Sequence, residues 1–465
     1  MNIRLKDLSK LGYTDNVARS LAVMIVGKNC KHKAKQEIET ILSDVLADPK
    51  KYKGDEVWGK LAEHFAPTLT EQQFKVYGLN EKPLPYKKYG SVFIEPLAKQ
   101  QMDMAMRLPV TVAGALMPDG HAGYGLPIGG VLATDNVVIP YAVGMDIGCR
   151  MSLTVFDANP EYMTRYSHQI KEALKQFTHF GINGGLGIKQ EHKILDDPAF
   201  RQTDLLKVLQ GKAVRQLGTS GGGNHFVEFG QIELYEGNAM NLPAGGYTAL
   251  LSHSGSRGVG AAIAKHYSNI AREVCKLPRE AQNFAWLDLN SEAGQEYWLS
   301  MNLAGDFAVA CHEQIHTHLS KALGLDALSN VSNHHNFAWR EEIAPGQTAI
   351  IHRKGATPAG ECIAGIIPGS MTTPGYLVCG KGVPESLNSA SHGVGRAMSR
   401  QKAKQQFTQS SLKKLLSQSH VTLLGGSVEE CPLAYKDIDK VMKAQRELVE
   451  VQGRFMPRIV RMHKE

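Results

Sequence analysis

The side chains of this 465-residue chain that could do chemistry sit mainly in glycine-rich segments. Val143–Met151 (VGMDIGCRM) carries Asp146 and Cys149 at i and i+3, with Gly144 and Gly148 beside them. A carboxylate and a thiolate at that spacing in a loop can share one metal ion, or the sulfur can bridge two. The plainer reading is a buried cysteine beside a capping aspartate. Leu217–Phe229 (LGTSGGGNHFVEF) places four glycines before Asn224 and His225, with Glu228 toward an apparent strand. Its run of backbone N–H groups could cradle phosphate, or the segment is a flexible turn. Ser252–Gly260 (SHSGSRGVG) brings His253 and Arg257 to the start of a helix, where backbone donors and dipole together make an anion site. Asn333–Trp339 (NHHNFAW) pairs His334 with His335 in a polar loop.

Three further segments have the same texture. Met117–Val131 (MPDGHAGYGLPIGGV) frames Asp119 and His121 with five glycines, either a tight turn with a capping aspartate or a backbone approaching something closely. Ile351–Met371 supplies Arg353 and Lys354, which by themselves read as a solvated basic turn, and ends in IIPGSM with Ser370. Asn388–Arg400 (NSASHGVGRAMSR) sets His392 among small residues, with Arg396 one turn on. A histidine so surrounded has room for a large covalent adduct. Together, Asp146, Cys149, His225, His253 and one of His334 or His335 form a carboxylate–thiolate–imidazole set, enough for two borderline ions such as Mn²⁺ or Zn²⁺.

Two matches are set aside. GYLVCGKG (Gly375–Gly382) nearly fits a phosphate-cradling loop, but Gly382 lacks the magnesium-binding hydroxyl. HEQIH (His312–His316) fits a zinc-protease pattern on a credible helix, yet no further ligand motif follows, and the helix reads as structural.

The elements that must hold these segments follow from composition and pattern. Hydrophobic residues are 43% and charged residues 21%, with 46 glycines and 20 prolines, which excludes a disordered or collagen-like chain. Lys and Arg outnumber Asp and Glu 52 to 45, a net +7 compatible with a polyanionic ligand. Seven scattered cysteines without a CxxC pair argue against a disulfide framework. No apolar run approaches the ~18 residues that span a bilayer, and the start MNIRLKDLSKLGYTDN is polar, so a cytoplasmic protein is expected. Residues 1–88 read as a helical N-terminal extension: Ile38, Ile41, Leu42 and Val45 recur at helical spacing in Lys33–Leu46, a second helix is expected near Glu56–Phe65, and Asn80–Gly90 reads as a linker. Beyond it, residues 91–465 alternate short apolar runs, glycine-rich turns and helical stretches at Glu161–Gln176, Gly260–Cys275, Leu303–Leu323 and Asp437–Gln452. That is an α+β pattern, not a regular βαβ repeat.

At this point the sequence resembles the RtcB-type RNA-splicing ligase family. MPDGHAGYG, VGMDIGC, GNHF, HSGSRG, HHN, RKGA, IPGSM, SHGVGRAMSR and AYKDIDKVMKAQ occur in the family's order across residues 117–445. The resemblance implies one RtcB-like catalytic domain of mixed sheets and surrounding helices over 91–465. It implies an enzyme that joins RNA 3′-phosphate or 2′,3′-cyclic phosphate ends to 5′-hydroxyl ends, using GTP and two Mn²⁺ ions, in RNA repair or tRNA splicing. Carried onto this sequence, His392 would take GMP from GTP and Cys149 would bridge the metals. Asp146 and His225 would complete one site, His253 and His335 the other, His335 being preferred because it directly precedes Asn336. Asn224, Glu228, Ser370, Gly393 and Arg396 match cofactor-pocket positions, and Arg257, Arg353 and Lys354 phosphate or RNA contacts. Gly375 departs from a serine of the family pattern, and the end PRIVRMHKE departs from the family's C-terminal lysine on guanine, with Arg461 and Lys464 the two open alternatives there. A monomer or weak homo-oligomer is expected. The competing readings are a metal-dependent cyclic phosphodiesterase, needing the metals but not His392, and a non-catalytic RNA-end binding protein.

Overall fold

The structure, a computed structural model, describes residues 3–30, 33–52, 54–65, 74–181, 185 and 190–464. The chain divides into two units, Met1–Phe74 and Lys75–Glu465. The smaller contains helices Leu5–Lys10, Asn16–Asn29, Lys35–Ala47 and Gly59–Phe65. The spacing of Ile38, Leu42 and Val45 puts all three on one buried helix face. They pack with Leu8, Tyr13, Ile25, Trp58 and Leu61, and the buried Tyr13 hydroxyl donates to the Leu42 carbonyl at 2.8 Å. Residues 75–88, read above with the helical extension, fall in the larger unit. Lys75–Val76 pairs with Cys275–Lys276, and Lys87–Lys88 with Ala115–Leu116. Two-residue pairings leave no periodicity for a sequence to reveal.

The larger unit is α+β. Its long strands are β1 (Thr111–His121), β2 (Ile128–Thr134), β3 (Arg150–Phe156), β4 (Phe226–Leu234), β5 (Gly245–Ser254), β6 (Ala327–His334), β7 (Asn336–Ala344), β8 (Gln347–Lys354), β9 (Ala364–Ile367), β10 (Gly375–Gly380) and β11 (Val449–Met462). One sheet runs β6-β3-β5-β4-β11-β10-β9, with Thr422–Leu424 also pairing β11. The other runs β7-β8-β2-β1 and ends on Lys87–Lys88. β3, β4, β5 and β6 are antiparallel neighbours in the first sheet. The starts of β3 and β4 therefore lie beside the ends of β5 and β6. The register states this directly: Arg150 faces both Ser254 and His334, and Phe226 faces His253. Cys149, His225, His253 and His335 are thus the last or adjoining residues at one end of one sheet. His335 is also the single residue between β6 and β7, where the chain passes from one sheet to the other.

Helix Glu292–Leu323 covers this sheet, capped by Ser291, which accepts from Gly294 N at 3.1 Å, and ended by Gly324 at φ 60. It is longer than the Leu303–Leu323 pattern suggests. The helix expected over Asp437–Gln452 is a correction: it stops at Ala444, and Val449 opens β11. β11 pairs with β10 from Val449 and with β4 from Gly453, and the β10 ladder overrides the helical pattern of its first residues. Among the described residues no helix is long and apolar enough to cross a membrane.

Candidate active site

Four loops deliver the ligand set. Cys149 Sγ lies 3.2 Å from His253 Nε2 and 3.4 Å from His225 Nε2. His253 Nε2 is 3.2 Å from His335 Nε2, and Asp146 Oδ2 is 3.0 Å from His225 Nε2. The donor atoms form two groups, Asp146–Cys149–His225 and Cys149–His253–His335, that share the sulfur. Backbone bonds fix their alignment. His335 N donates to Cys149 O at 2.9 Å, Gly148 N donates to Asn336 O at 2.8 Å, and the Asn336 side chain accepts from Gly355 N at 2.8 Å. Gly255 leaves the space that Asp146 occupies, since a Cβ there would lie 2.1 Å from Asp146 Oδ1. His334 points elsewhere, accepting from Arg150 Nη1 at 3.0 Å and stacking on Phe337.

The electrostatics suit a cation. Burial, aided by the neighbouring histidines, drives His253 down to about 3 and holds His335 well below its usual value, so these imidazoles are neutral. His253 Nδ1–H donates to Asn224 O at 3.1 Å, which leaves the Nε2 lone pair facing Cys149 and His335. Burial and the Asp146 charge push the Cys149 thiol well up. Burial works to raise Asp146 too, but its bond to His225 holds it below the usual carboxylate range. Crowded lone pairs, one thiol and one carboxylate form a set that a borderline divalent ion satisfies and that would deprotonate the sulfur.

His392 stands against this set, its ring centroid 4.9 Å from that of His335. Its Nδ1 meets Oδ2 of fully buried Asp119 at 2.7 Å. The approach depends on Gly395, at φ 69, where a Cβ would lie 2.4 Å from Asp119 O. Around both centres lies a cleft of about 580 Å³, whose wall also includes Asn224, Glu228, Ser370, Gly393, Arg396 and Arg400. Burial pushes Glu228 well above the usual carboxyl range.

Residues 101–463 match the family described as tRNA-splicing ligase RtcB. An Escherichia coli protein named RNA-splicing ligase RtcB1 is 31% identical over 390 residues, covering 77% of this chain and 92% of its own. RNA-splicing ligase RtcB of Escherichia coli K12 is 30% identical over 389 residues, covering 77% and 92%. The tRNA-splicing ligase RtcB of Nanoarchaeum equitans is 29% identical over 431 residues, covering 77% and 90%. The chain belongs to the RtcB family of tRNA-splicing ligases. Membership makes it an RNA ligase of a metal-dependent family.

Against that RtcB framework, the three basic residues expected on phosphate are engaged within the fold, and burial turns Arg353 and Lys354 away from that role. Arg353 is fully buried. Its guanidinium forks onto Glu341 at 2.6 and 2.8 Å, donates to Ser389 Oγ at 2.7 Å and to Leu387 O at 2.9 Å, and stacks on Trp339. Lys354 is buried too, and its Nζ donates to the carbonyls of Tyr124 and Tyr141. Burial alone drives it down to about 7. Arg257 donates to Thr219 Oγ1 at 3.0 Å and to Gly181 O at 2.6 Å, and its Nη1 and the His225 ring both crowd the space beside Gly221. Arg396 does line the cleft, held by Glu430 Oε2 at 3.2 Å and Glu429 O at 2.8 Å over the Tyr435 ring. Val460 and Met462 also line it, so strand alternation turns Arg461 away, where it donates to Leu424 O at 3.2 Å. Thr373 reaches the cleft wall near Gly375, its hydroxyl 2.9 Å from that of Ser370. Sequence reasoning missed Asp119 as the partner of His392, and Arg400, which pairs with Glu430 at 3.3 Å. Both stand inside motifs it had singled out.

Proposed function

We propose that the cleft joins an RNA 3′-phosphate or 2′,3′-cyclic phosphate to a 5′-hydroxyl through a guanylate carried on His392. The 2.7 Å contact between His392 Nδ1 and buried Asp119 carries this reading. A proton held on Nδ1 leaves the Nε2 lone pair free, which a nitrogen nucleophile requires. Nε2 bonds to the α-phosphorus of GTP, the bond to the bridging oxygen breaks, and pyrophosphate leaves. Asp119 offsets the positive charge that the ring then acquires, as the acid of a Ser-His-Asp triad does. A 2′,3′-cyclic end is first opened by water, which breaks the bond from phosphorus to the 2′ oxygen and leaves a 3′-phosphate; an oxygen of the 3′-phosphate then takes the guanylate, breaking the N–P bond. The 5′-hydroxyl attacks the activated 3′-phosphorus and GMP leaves.

Asp146, Cys149 and His225 would hold one Mn²⁺, and Cys149, His253 and His335 a second, supplying Lewis acidity and a template for the transferring phosphoryl group. Asn224, Glu228, Ser370 and Gly393 would line the nucleotide subsite, with Glu228, protonated in the empty cleft, giving up its proton to accept from guanine N1–H and N2–H. Arg396 would face phosphate. The proposal includes a cytoplasmic setting, action as a monomer or weak homo-oligomer, and residues 1–74 as an accessory unit. The test is incubation with α-labelled GTP and Mn²⁺. The expected result is an acid-labile protein adduct, absent in His392→Ala and discharged when RNA ends are added. An adduct that persists in His392→Ala, or cyclic-phosphate opening by wild type without any adduct, would overturn it.

A further inference from the structure

Tyr124 lines the same cleft as His392, yet it is 75% exposed. An exposed tyrosine on a loose loop would carry no argument. Here the backbone is held from several directions. Glu95 Oε2 accepts from Ala122 N at 2.7 Å, and Gln101 exchanges two bonds with Gly123, at 2.5 and 3.0 Å. Buried Lys354 donates to the Tyr124 carbonyl and, at 3.0 Å, to that of Tyr141. Gly125 follows at φ 73, packed so that a Cβ would stand 3.2 Å from Asn283 O. Burying an ammonium and ordering an exposed loop both work against stability. The result is a backbone held from several directions that presents an exposed aromatic side chain at the cleft wall.

We infer that Tyr124 is a stacking platform for the unpaired base at the 3′ end of the RNA, next to the phosphate that receives the guanylate. The inference rests on the ligase reading above. The loop leaves β1 after His121, two residues past Asp119, so the platform and the partner of His392 belong to one segment, at most about 18 Å apart along the chain. Every base has a π-face, so such a platform gives affinity without sequence preference. Lys354 is then a positioning residue, acting through the Tyr124 carbonyl rather than on phosphate.

The test uses the full chain and a short RNA ending in 3′-phosphate, with 2-aminopurine, whose fluorescence falls on stacking, as its 3′-terminal base. Wild type is expected to quench it. Tyr124→Ala should bind about tenfold more weakly and leave the probe bright, and Tyr124→Trp should restore both. Each preparation is normalised to the fraction that forms the GMP adduct. Quenching retained in Tyr124→Ala, no quenching by adduct-competent wild type, or a Tyr124 effect confined to a 5′-terminal probe would overturn the inference. A wild type that forms no adduct sinks the ligase reading, and this inference with it.

Discussion

Glu228 is a carboxyl group in the cleft wall whose pKa burial alone pushes well up. An acid raised in this way keeps its proton in the fold longer than in the unfolded chain. Its contribution to stability is full below the unfolded value, near 4.3, and is lost as pH rises, by about 1.4 kcal/mol per unit until the folded pKa is passed. Glu228→Gln removes that loss. The nucleotide-free variant should melt above wild type at pH 8, the gap shrinking toward pH 5 by about 1–2 °C per pH unit. A gap independent of pH, in melts followed by circular dichroism, would contradict the placement. Glu228 was legible in the sequence because it follows the GNHF motif. Asp119 was not, since its partner lies 273 positions away and a capping aspartate looks the same in one dimension. Arg353 and Lys354 failed for a related reason. A basic residue beside glycine carries no sign of whether water, a carboxylate or a carbonyl will face it.

The elements around the site show how a helix can stiffen a sheet from behind. In HEQIH, His312 and His316 reach β5 rather than a metal. His312 Nε2–H donates to Ser254 O at 3.3 Å, so its Nδ1 accepts from Ser252 Oγ at 2.6 Å. Ser252 then accepts from His316 Nε2–H at 2.7 Å, and His316 Nδ1 accepts from Thr154 Oγ1 at 2.7 Å. The direction of each bond fixes the next, and all members are neutral, His316 being pushed down to about 3 by burial. The chain braces the two residues flanking His253. His316→Leu would leave the Thr154 O–H without its acceptor, though Thr154 Oγ1 still accepts from Asn330 at 2.9 Å, and would remove a donor from Ser252, destabilising the protein by about 2 kcal/mol in urea unfolding. A change under about 0.5 kcal/mol would show that the network does not bear on the fold. The sequence signalled this helix and dismissed zinc on pattern alone. It misread the start of β11, because Val449 and Val451 suit helix or strand until β10 pairs with them.

Across the whole molecule, the candidate site depends on a topological coincidence. Antiparallel strands bring Cys149, His225 and His253 to one sheet end, and the crossover into the second sheet places His335 beside them. The short pairing of Ala356–Pro358 with Ser389–Ser391 then delivers His392. The nine motifs and their order were visible in the chain, but their convergence was not, because it is a property of sheet register rather than of any segment. The smaller unit, Met1–Phe74, holds none of these residues. The central claim is that two cation sites share the sulfur of Cys149, and a Mn²⁺ titration read by the paramagnetic resonance of the free ion tests it most directly. Wild type should take up two equivalents, Asp146→Ala and His335→Ala one each, and Cys149→Ala none at concentrations that fill wild type. A folded Cys149→Ala protein that still binds two would contradict the shared site.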